Sequence, residues 1–278
     1  MERSPLVKDV LQEITAILNP IIPRASREAQ LLLMAHLQKD ELWLMTNKST
    51  QVENVEKLFE WVDRRAQNEP LEYITNSVSF YSEDFYIAQG ALIPRPETEI
   101  LIDEVMKHVS DKNAVMTFVE VGVGSGIISV MLAKYFPHAK FIAVDISADA
   151  LEIAKINIEK FGLTDRIELR LGSLLEPIQE HVDYLVSNPP YIANDAELES
   201  NLSYEPQNAL FGGIIGDEII GELLNEVLKR KINFFTCEIG YDQKSKIVDY
   251  LQGKQFKDLN FYEDLSGFDR GFTLRLEH

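Results

Sequence analysis

The chain has 278 residues, 45% of them hydrophobic, and its formal net charge at pH 7 is -18. This length suits one large domain or two smaller domains with a packed core. The acidity disfavours contact with phosphate backbones, so no direct nucleic-acid binding is expected. A local basic patch is still compatible with this net charge. The single cysteine, Cys237, excludes an internal disulfide bond.

No hydrophobic run approaches the length that crosses a membrane, and charged residues interrupt the hydrophobic residues of the first segment. A signal peptide and an association with membranes are therefore not expected. The composition predicts a cytoplasmic protein, and we expect it to act as a monomer.

The first part of the sequence predicts helices. One helical face is indicated by the spacing of Val7, Val10, Leu11, Ile14, Ile17 and Leu18. The segment "AQLLLMAHL" predicts a second helix, and Thr50 with Glu53 forms a capping box before a third. Residues 1–72 are thus predicted to be a helical domain. It contains no cluster of catalytic residue types, so it either packs on the main domain or docks a partner.

Residues 73–93 alternate in hydrophobicity, which predicts a β-hairpin that links two domains. The segment "PRPETE" at 94–99 predicts a helix start. From 94 to 278, hydrophobic strands alternate with amphipathic helices, the pattern of an α/β fold with a parallel sheet covered on both faces. The last two strands are joined by the short link "SGFDR", which permits only antiparallel pairing. A parallel sheet with an antiparallel last strand is therefore expected.

The segment "EVGVGSG", from Glu120 to Gly126, follows the first strand of this domain and precedes a helix. Its glycines permit a tight turn and the close approach of a ligand. The spacing suits a nucleoside with an amino-acid tail better than a pyrophosphate. Asp145, which ends the next strand, is expected to accept hydrogen bonds from ribose hydroxyls, and Glu120 to face a ligand ammonium group. A tight turn that binds no ligand is the alternative.

The segment "VSNPPYIAN" follows the fourth strand. Ligands of doubly wound sheets bind beyond the carboxyl ends of the strands, where the strand order reverses, so Asn188 is expected beside the glycine loop. A Pro-Pro turn capped by Asn is the alternative. Asn-Pro-Pro-Tyr after a fourth strand resembles the signature of S-adenosylmethionine-dependent methyltransferases that act on planar amines and amides.

This resemblance implies a role for each residue of the motif. The Asn188 side-chain oxygen and the Pro189 carbonyl oxygen would accept both N–H groups of the acceptor and hold its nitrogen in line with the sulfonium methyl group. The same oxygens would stabilise the positive charge that develops on that nitrogen. Pro190 would keep the segment rigid, and Tyr191 would stack on the flat acceptor group.

Nearly the whole chain resembles the bacterial-type protein-(glutamine) methyltransferases that modify peptide chain release factors. The similar segments are "EPLEYI", "LIPRPETE", "EVGVGSG", "VDIS", "SNPPYI", "YEPQNALFGG", "EIGYDQ" and "GFDR". The resemblance implies a Rossmann-like, seven-stranded methyltransferase sheet behind an amino-terminal helical bundle. It also implies methylation of the glutamine in the Gly-Gly-Gln motif of class I release factors, which the amino-terminal helices would dock.

The resemblance further implies a set of site residues. S-adenosylmethionine, which becomes S-adenosylhomocysteine, would be held by Gly122, Val123, Gly124, Ser125, Gly126, Asp145, Leu174 and Asn188. The acceptor glutamine would be held by Asn188, Pro189, Pro190 and Tyr191, and no metal is assigned. Two other functions stay open. An adenine-specific DNA or RNA methyltransferase would use the same motif but needs a cationic surface, and a protein that only binds the cofactor would have no need of Asn188.

Overall fold

The computed structural model describes residues 4–198 and 200–277, and it divides into two compact units. The first unit contains residues 4–77 and 200–204, and the second contains residues 78–198 and 205–277. Within the described residues, no helix is both long and hydrophobic enough to cross a membrane.

The first unit is helical, as expected. Its α-helices are α1 (Val7–Leu18), α2 (Ala25–Leu37), α3 (Glu41–Thr46), α4 (Val55–Ala66) and α5 (Leu71–Thr75), and a 3-10 helix spans Ser200–Tyr204. On the predicted face of α1, Val7, Val10, Ile14 and Leu18 are buried, whereas Ile17 is exposed. Leu58 and Val62 of α4 lie in the same core. The short helix α3 was not predicted.

The predicted capping box before the third helix is wrong. Helix α4 begins at Val55 and its N-cap is Asn54, which has a left-handed φ of 51° and makes no side-chain cap. The backbone before it is already paired, because Val7 donates its N–H to the Thr50 carbonyl and Val52 donates to the Pro5 carbonyl. Residues paired in this extended way cannot form the first turn of a helix.

The second unit has these elements in chain order: β1 (Val78–Phe80), β2 (Glu83–Phe85), α6 (Thr98–His108), β3 (Thr117–Val121), α7 (Ile127–Tyr135), β4 (Lys140–Asp145), α8 (Ala148–Lys160), β5 (Ile167–Leu171), β6 (Tyr184–Ser187), β7 (Ile192–Ala193), α9 (Gln207–Leu210), β8 (Phe211–Gly213), α10 (Glu218–Arg230), β9 (Phe234–Glu238), α11 (Lys244–Leu251), β10 (Asp258–Glu263) and β11 (Asp269–Arg275). The hairpin β1–β2 is shorter than the span from 73 to 93, since residues 71–75 are helical.

The main sheet has seven strands in the order β10-β11-β9-β6-β3-β4-β5. Strand β11 is antiparallel to both of its neighbours, which confirms the prediction for the last strand. The strands β9, β6, β3, β4 and β5 are parallel. Along the sequence, the first strand of this sheet is β3; β4 and β5 are added on one side of it, and β6 is then added on the other side. The strand order therefore reverses between β3 and β6, where ligands of such sheets bind.

Hydrophobic side chains cover both faces of this sheet. Successive residues of β3 point to opposite faces, so Phe118 joins one core and Val119 the other. The first core contains α7 residues and the second contains α10 residues, such as Val130 and Leu223. These two cores hold the carboxyl ends of the central strands in place, and the candidate site lies at those ends.

Candidate active site

A cavity lies at the carboxyl ends of β3, β4 and β6. Most of the residues predicted to bind a cofactor line it, namely Gly122, Val123, Gly124, Ser125, Asp145, Leu174 and Asn188. Pro189 and Pro190 also line it. Gly126 and Tyr191 do not line it; Gly126 packs against Ala154, and Tyr191 packs against the second hydrophobic core. We call the part formed by residues 120–126, Asp145 and Leu174 the cofactor half, and the part formed by Asn188 to Tyr191 the acceptor half.

The glycine loop connects β3 to α7 and forms the floor of the cofactor half. Gly122, Gly124 and Gly126 have φ values of 76°, 52° and 81°, the left-handed region that favours glycine. A Cβ atom on Gly126 would approach the Ala154 Cβ to 3.1 Å, whereas one on Gly124 would have no atom within 4 Å. Gly126 therefore permits the close packing of the loop on α8, and Gly124 leaves space for a ligand.

Asp145 ends β4 and faces the same cavity. One carboxylate oxygen accepts the Gly124 N–H at 2.9 Å, and the other accepts the Ser147 N–H at 2.9 Å. Burial raises the pKa of Asp145, and these backbone hydrogen bonds oppose the increase. Each oxygen keeps a lone pair, so the carboxylate can still accept hydrogen bonds from a vicinal diol.

Glu120 lines the cavity from within β3 and is only 3% exposed. Its Oε2 accepts hydrogen bonds from the Ser129 backbone N–H and hydroxyl group. Its Oε1 is buried and has no hydrogen-bond partner among the described residues. Burial raises the pKa of Glu120 to about 8. An unpartnered buried oxygen is costly, and a ligand cation would both pair with it and favour its ionised form.

The acceptor half begins where β6 ends. The Ser187 hydroxyl donates to the Val121 carbonyl at 2.8 Å and joins the ends of β6 and β3. A Cβ atom on Gly122 would lie 3.6 Å from the Asn188 backbone oxygen, so the motif is adjacent to the glycine loop, as predicted. Asn188 donates from Nδ2 to the Thr98 hydroxyl at 3.1 Å. Its Oδ1 accepts no hydrogen bond from the described residues.

Tyr191 turns its ring into the protein rather than into the cavity. The ring packs against the second hydrophobic core, and its hydroxyl donates to Glu238 Oε1 at 3.3 Å. Burial raises the pKa of Tyr191. Stacking of this ring on an acceptor group therefore stays a prediction.

Several functional residues were missed in the sequence. Thr98 and Glu238 hold the side chains of Asn188 and Tyr191, and Gln243 donates from Nε2 to the carbonyls of Tyr191 and Gly216 at 3.1 and 2.9 Å. All three lie in "LIPRPETE" and "EIGYDQ", two of the segments that resemble the glutamine methyltransferases, and this resemblance was the only indication in the sequence of their importance. Their spacing along the chain carries no indication of a contact.

A half-buried ion pair joins two further segments beside the cavity. Glu205, in "YEPQNALFGG", accepts the Ile93 N–H at 3.0 Å and a hydrogen bond from Arg95 at 2.5 Å. Asn208 and Phe211 of the same segment line the cavity. The pair therefore holds the "PRPETE" segment against a wall of the site.

Comparison with known proteins agrees with this geometry. Models of the methyltransferase small domain and of the PrmC N-terminal domain match residues 96–208 and 9–75. A release factor glutamine methyltransferase from Dictyoglomus turgidum is 39% identical over 95% of this chain and 96% of its own length. Another from Clostridium botulinum is 37% identical over 97% of this chain and 99% of its own. The chain belongs to the release factor glutamine methyltransferase family.

Solved structures support the fold of this family member. The catalytic domain of human METTL16 aligns with a TM-score of 0.59 at 15% identity, over 70% of this chain and 76% of that chain. At this identity the likeness concerns the fold alone. It agrees with the predicted methyltransferase sheet, which the strand order also confirms.

Proposed function

We propose that this chain transfers a methyl group from S-adenosylmethionine to the side-chain amide nitrogen of a glutamine, in the Gly-Gly-Gln motif of class I release factors. The relatives that carry this activity in their names match almost the whole chain, both units included. The observation that carries the proposal is the position of Asn188. It presents a free amide oxygen beside a glycine loop suited to a nucleoside.

The residues of the cofactor half fit S-adenosylmethionine. Gly124 leaves room for the ligand, Asp145 can accept the ribose hydroxyls, and Glu120 has an unpaired oxygen for the ammonium group. Leu174 lines the cavity and would provide a hydrophobic wall for the adenine. When bound, the cofactor supplies an electrophilic methyl group on a sulfonium centre.

The acceptor half would position a weak nucleophile. The lone pair of an amide nitrogen is delocalised, so alignment and charge stabilisation are required more than a base. Asn188 Oδ1 and the Pro189 carbonyl oxygen would accept the two amide N–H groups and orient the nitrogen. The same oxygens would stabilise the positive charge that develops on the nitrogen during methyl transfer. The methylated nitrogen would release one proton to water, and S-adenosylhomocysteine would be the second product.

A direct assay tests the proposal. The protein is incubated with a purified class I release factor and S-adenosylmethionine, and the peptides are analysed by mass spectrometry. One added methyl group on the glutamine of Gly-Gly-Gln is expected, and a release factor with that glutamine replaced is the matched control. DNA and RNA oligonucleotides with unmodified adenines test the adenine alternative. Methylation of adenine without methylation of glutamine would reject the proposal.

We also propose that residues 1–72 dock the release factor, and that the enzyme acts in the cytoplasm as a monomer without binding nucleic acid. The amino-terminal unit has its own hydrophobic core, and its family model matches residues 9–75. Removal of residues 1–72 is expected to lower kcat/KM on an intact release factor far more than on a short Gly-Gly-Gln peptide. Circular dichroism and cofactor affinity provide the folding control. Equal losses on both substrates would contradict docking.

A further inference from the structure

Two residues without a role in the proposed chemistry connect Asn188 to Tyr191. Thr98 is the first residue of α6 and Glu238 the last of β9, and they are 4% and 1% exposed. The Thr98 hydroxyl donates to Glu238 Oε2 at 2.8 Å and accepts from Asn188 Nδ2 at 3.1 Å. Glu238 Oε1 accepts from the Tyr191 hydroxyl at 3.3 Å. One buried carboxylate thus contacts both side chains of the acceptor motif, directly or through Thr98.

The chemistry of these groups determines the direction of each hydrogen bond. An ionised carboxylate only accepts, so the Thr98 proton points to Glu238 and a lone pair of its oxygen faces Asn188. Only the NH₂ end of the Asn188 carboxamide can donate to that lone pair. The carboxamide oxygen is consequently turned away from Thr98. Without the carboxylate, the hydroxyl could donate or accept, and both orientations of the carboxamide would be permitted.

We propose that Thr98 and Glu238 are positioning residues that orient the Asn188 carboxamide so that its oxygen accepts a hydrogen bond from the acceptor nitrogen. The inference rests on the function proposed above. With the carboxamide reversed, its NH₂ group would meet the N–H groups of the acceptor, donor against donor. Such a site would bind the cofactor and fail to align the glutamine.

The charge state of Glu238 gives this arrangement a pH dependence. Burial raises the pKa of Glu238 to about 7, while the hydrogen bond from Thr98 and the charge of Arg270 oppose the increase. The titratable and charged groups that face it from the surrounding elements are Tyr191, Arg270, Glu97, Tyr262 and Cys237. Protonated Glu238 can donate to Thr98, which removes the constraint on the hydroxyl. The active form is ionised, so kcat should fall as pH decreases through about 7.

The first test replaces the Thr98 hydroxyl. Thr98→Val is expected to lower kcat for methylation of the release factor by about 10- to 100-fold, through misalignment of Asn188. Cofactor affinity by calorimetry should change less than about threefold. Thr98→Ser, which keeps a hydroxyl, should have a kcat within about threefold of the wild-type value. Thr236→Val is the matched control, because Thr236 is also buried and its hydroxyl donates to the Phe272 carbonyl instead. A Thr98→Val enzyme with kcat as high as that of Thr236→Val would overturn the proposal.

The second test follows the pH profile of kcat at saturating cofactor and release factor. The wild-type enzyme should lose activity below about pH 7. Thr98→Val and Glu238→Gln should each remove this acid limb, because the Thr98 hydroxyl is the contact through which protonation of Glu238 reaches Asn188. An acid limb that persists unchanged in Glu238→Gln would overturn the inference. A wild-type enzyme that binds the cofactor but methylates no release factor would instead refute the proposed function, so the two failures are distinguishable.

Discussion

A buried glutamate belongs to the cofactor half and another contacts the acceptor half, and the two differ in their hydrogen-bond partners. Glu120 leaves one carboxylate oxygen without a partner on the cavity wall. Glu238 has both oxygens engaged by hydroxyl groups of this chain. Burial raises the pKa of both, to about 8 and about 7. An unpaired buried oxygen indicates that a ligand completes the site, whereas a fully paired one indicates that the carboxylate orients its neighbours.

The same contrast extends to the backbone of the two halves. The cofactor half consists of a loop with left-handed glycines, pinned to β4 by hydrogen bonds from Gly122 and Val123 to the Val144 carbonyl. The acceptor half contains two prolines, and Gln243 donates a hydrogen bond to the carbonyl of Tyr191, the residue after them. The cofactor half leaves volume for a ligand, and the acceptor half restricts the direction of its hydrogen-bonding groups. Binding and alignment are therefore expected to respond separately to substitution.

The largest expected effect separates the halves directly. Asn188→Ala should lower kcat by about 100-fold or more, because the acceptor loses an oxygen that aligns it and stabilises its charge. Cofactor affinity should decrease much less. A radiolabelled-methyl assay and calorimetry measure the two quantities, with the exposed Asn194→Ala as the matched control. Near-normal turnover of Asn188→Ala would end the proposed role of this side chain.

A smaller effect, confined to the other half, is expected from Asp145. Asp145→Ala should weaken S-adenosylmethionine binding by about 1–3 kcal/mol, the value of a lost hydrogen bond to a charged group. At saturating cofactor, kcat should remain close to that of the wild type. Calorimetry compares the variant with Asp165→Ala, an exposed aspartate in the same unit. An unchanged affinity would contradict the assignment to the ribose.

The smallest expected effect concerns the protonation of Glu120. The pKa of Glu120 is about 8 in the cofactor-free site, so at pH 7 the carboxyl is mostly protonated and ionises when a ligand ammonium group arrives. Binding at pH 7 should therefore release protons. Calorimetry in buffers of different ionisation enthalpy measures this release, and Glu120→Gln should reduce it and weaken binding modestly. Proton release that is identical in wild type and variant would exclude Glu120 as its source.

Proton linkage also predicts a stability effect with a defined sign. The folded-state pKa of Glu120 lies above the value of 4.5 for the unfolded chain, so the folded protein retains a proton that the unfolded chain releases. This contribution to the free energy of unfolding is fully present below about pH 4.5 and is lost as pH rises through about 8. Glu120→Gln should flatten that part of the pH profile in the cofactor-free protein.

The sequence alone determined the features that depend on local pattern. The alternation of strands and helices, the glycine turn after β3 and the antiparallel last strand all follow from periodicity, glycine content and loop length. The position of Asn188 beside Gly122 followed from the topology of doubly wound sheets. The predicted helix cap at Thr50 failed because a distant backbone segment, Pro5 to Val7, pairs there instead.

Only the tertiary structure decided which side chains act on Asn188. Thr98 and Asn188 are 90 positions apart, and Thr98 and Glu238 are 140 apart, so no spacing rule connects them. The structure also packs the Tyr191 ring against the second hydrophobic core, a contact that the motif alone does not indicate. Local sequence specifies turns and periodic faces through short-range sterics and hydrogen bonds. Contacts between strand ends and helix starts arise only when the sheet has assembled and excluded water from the carboxylate that joins them.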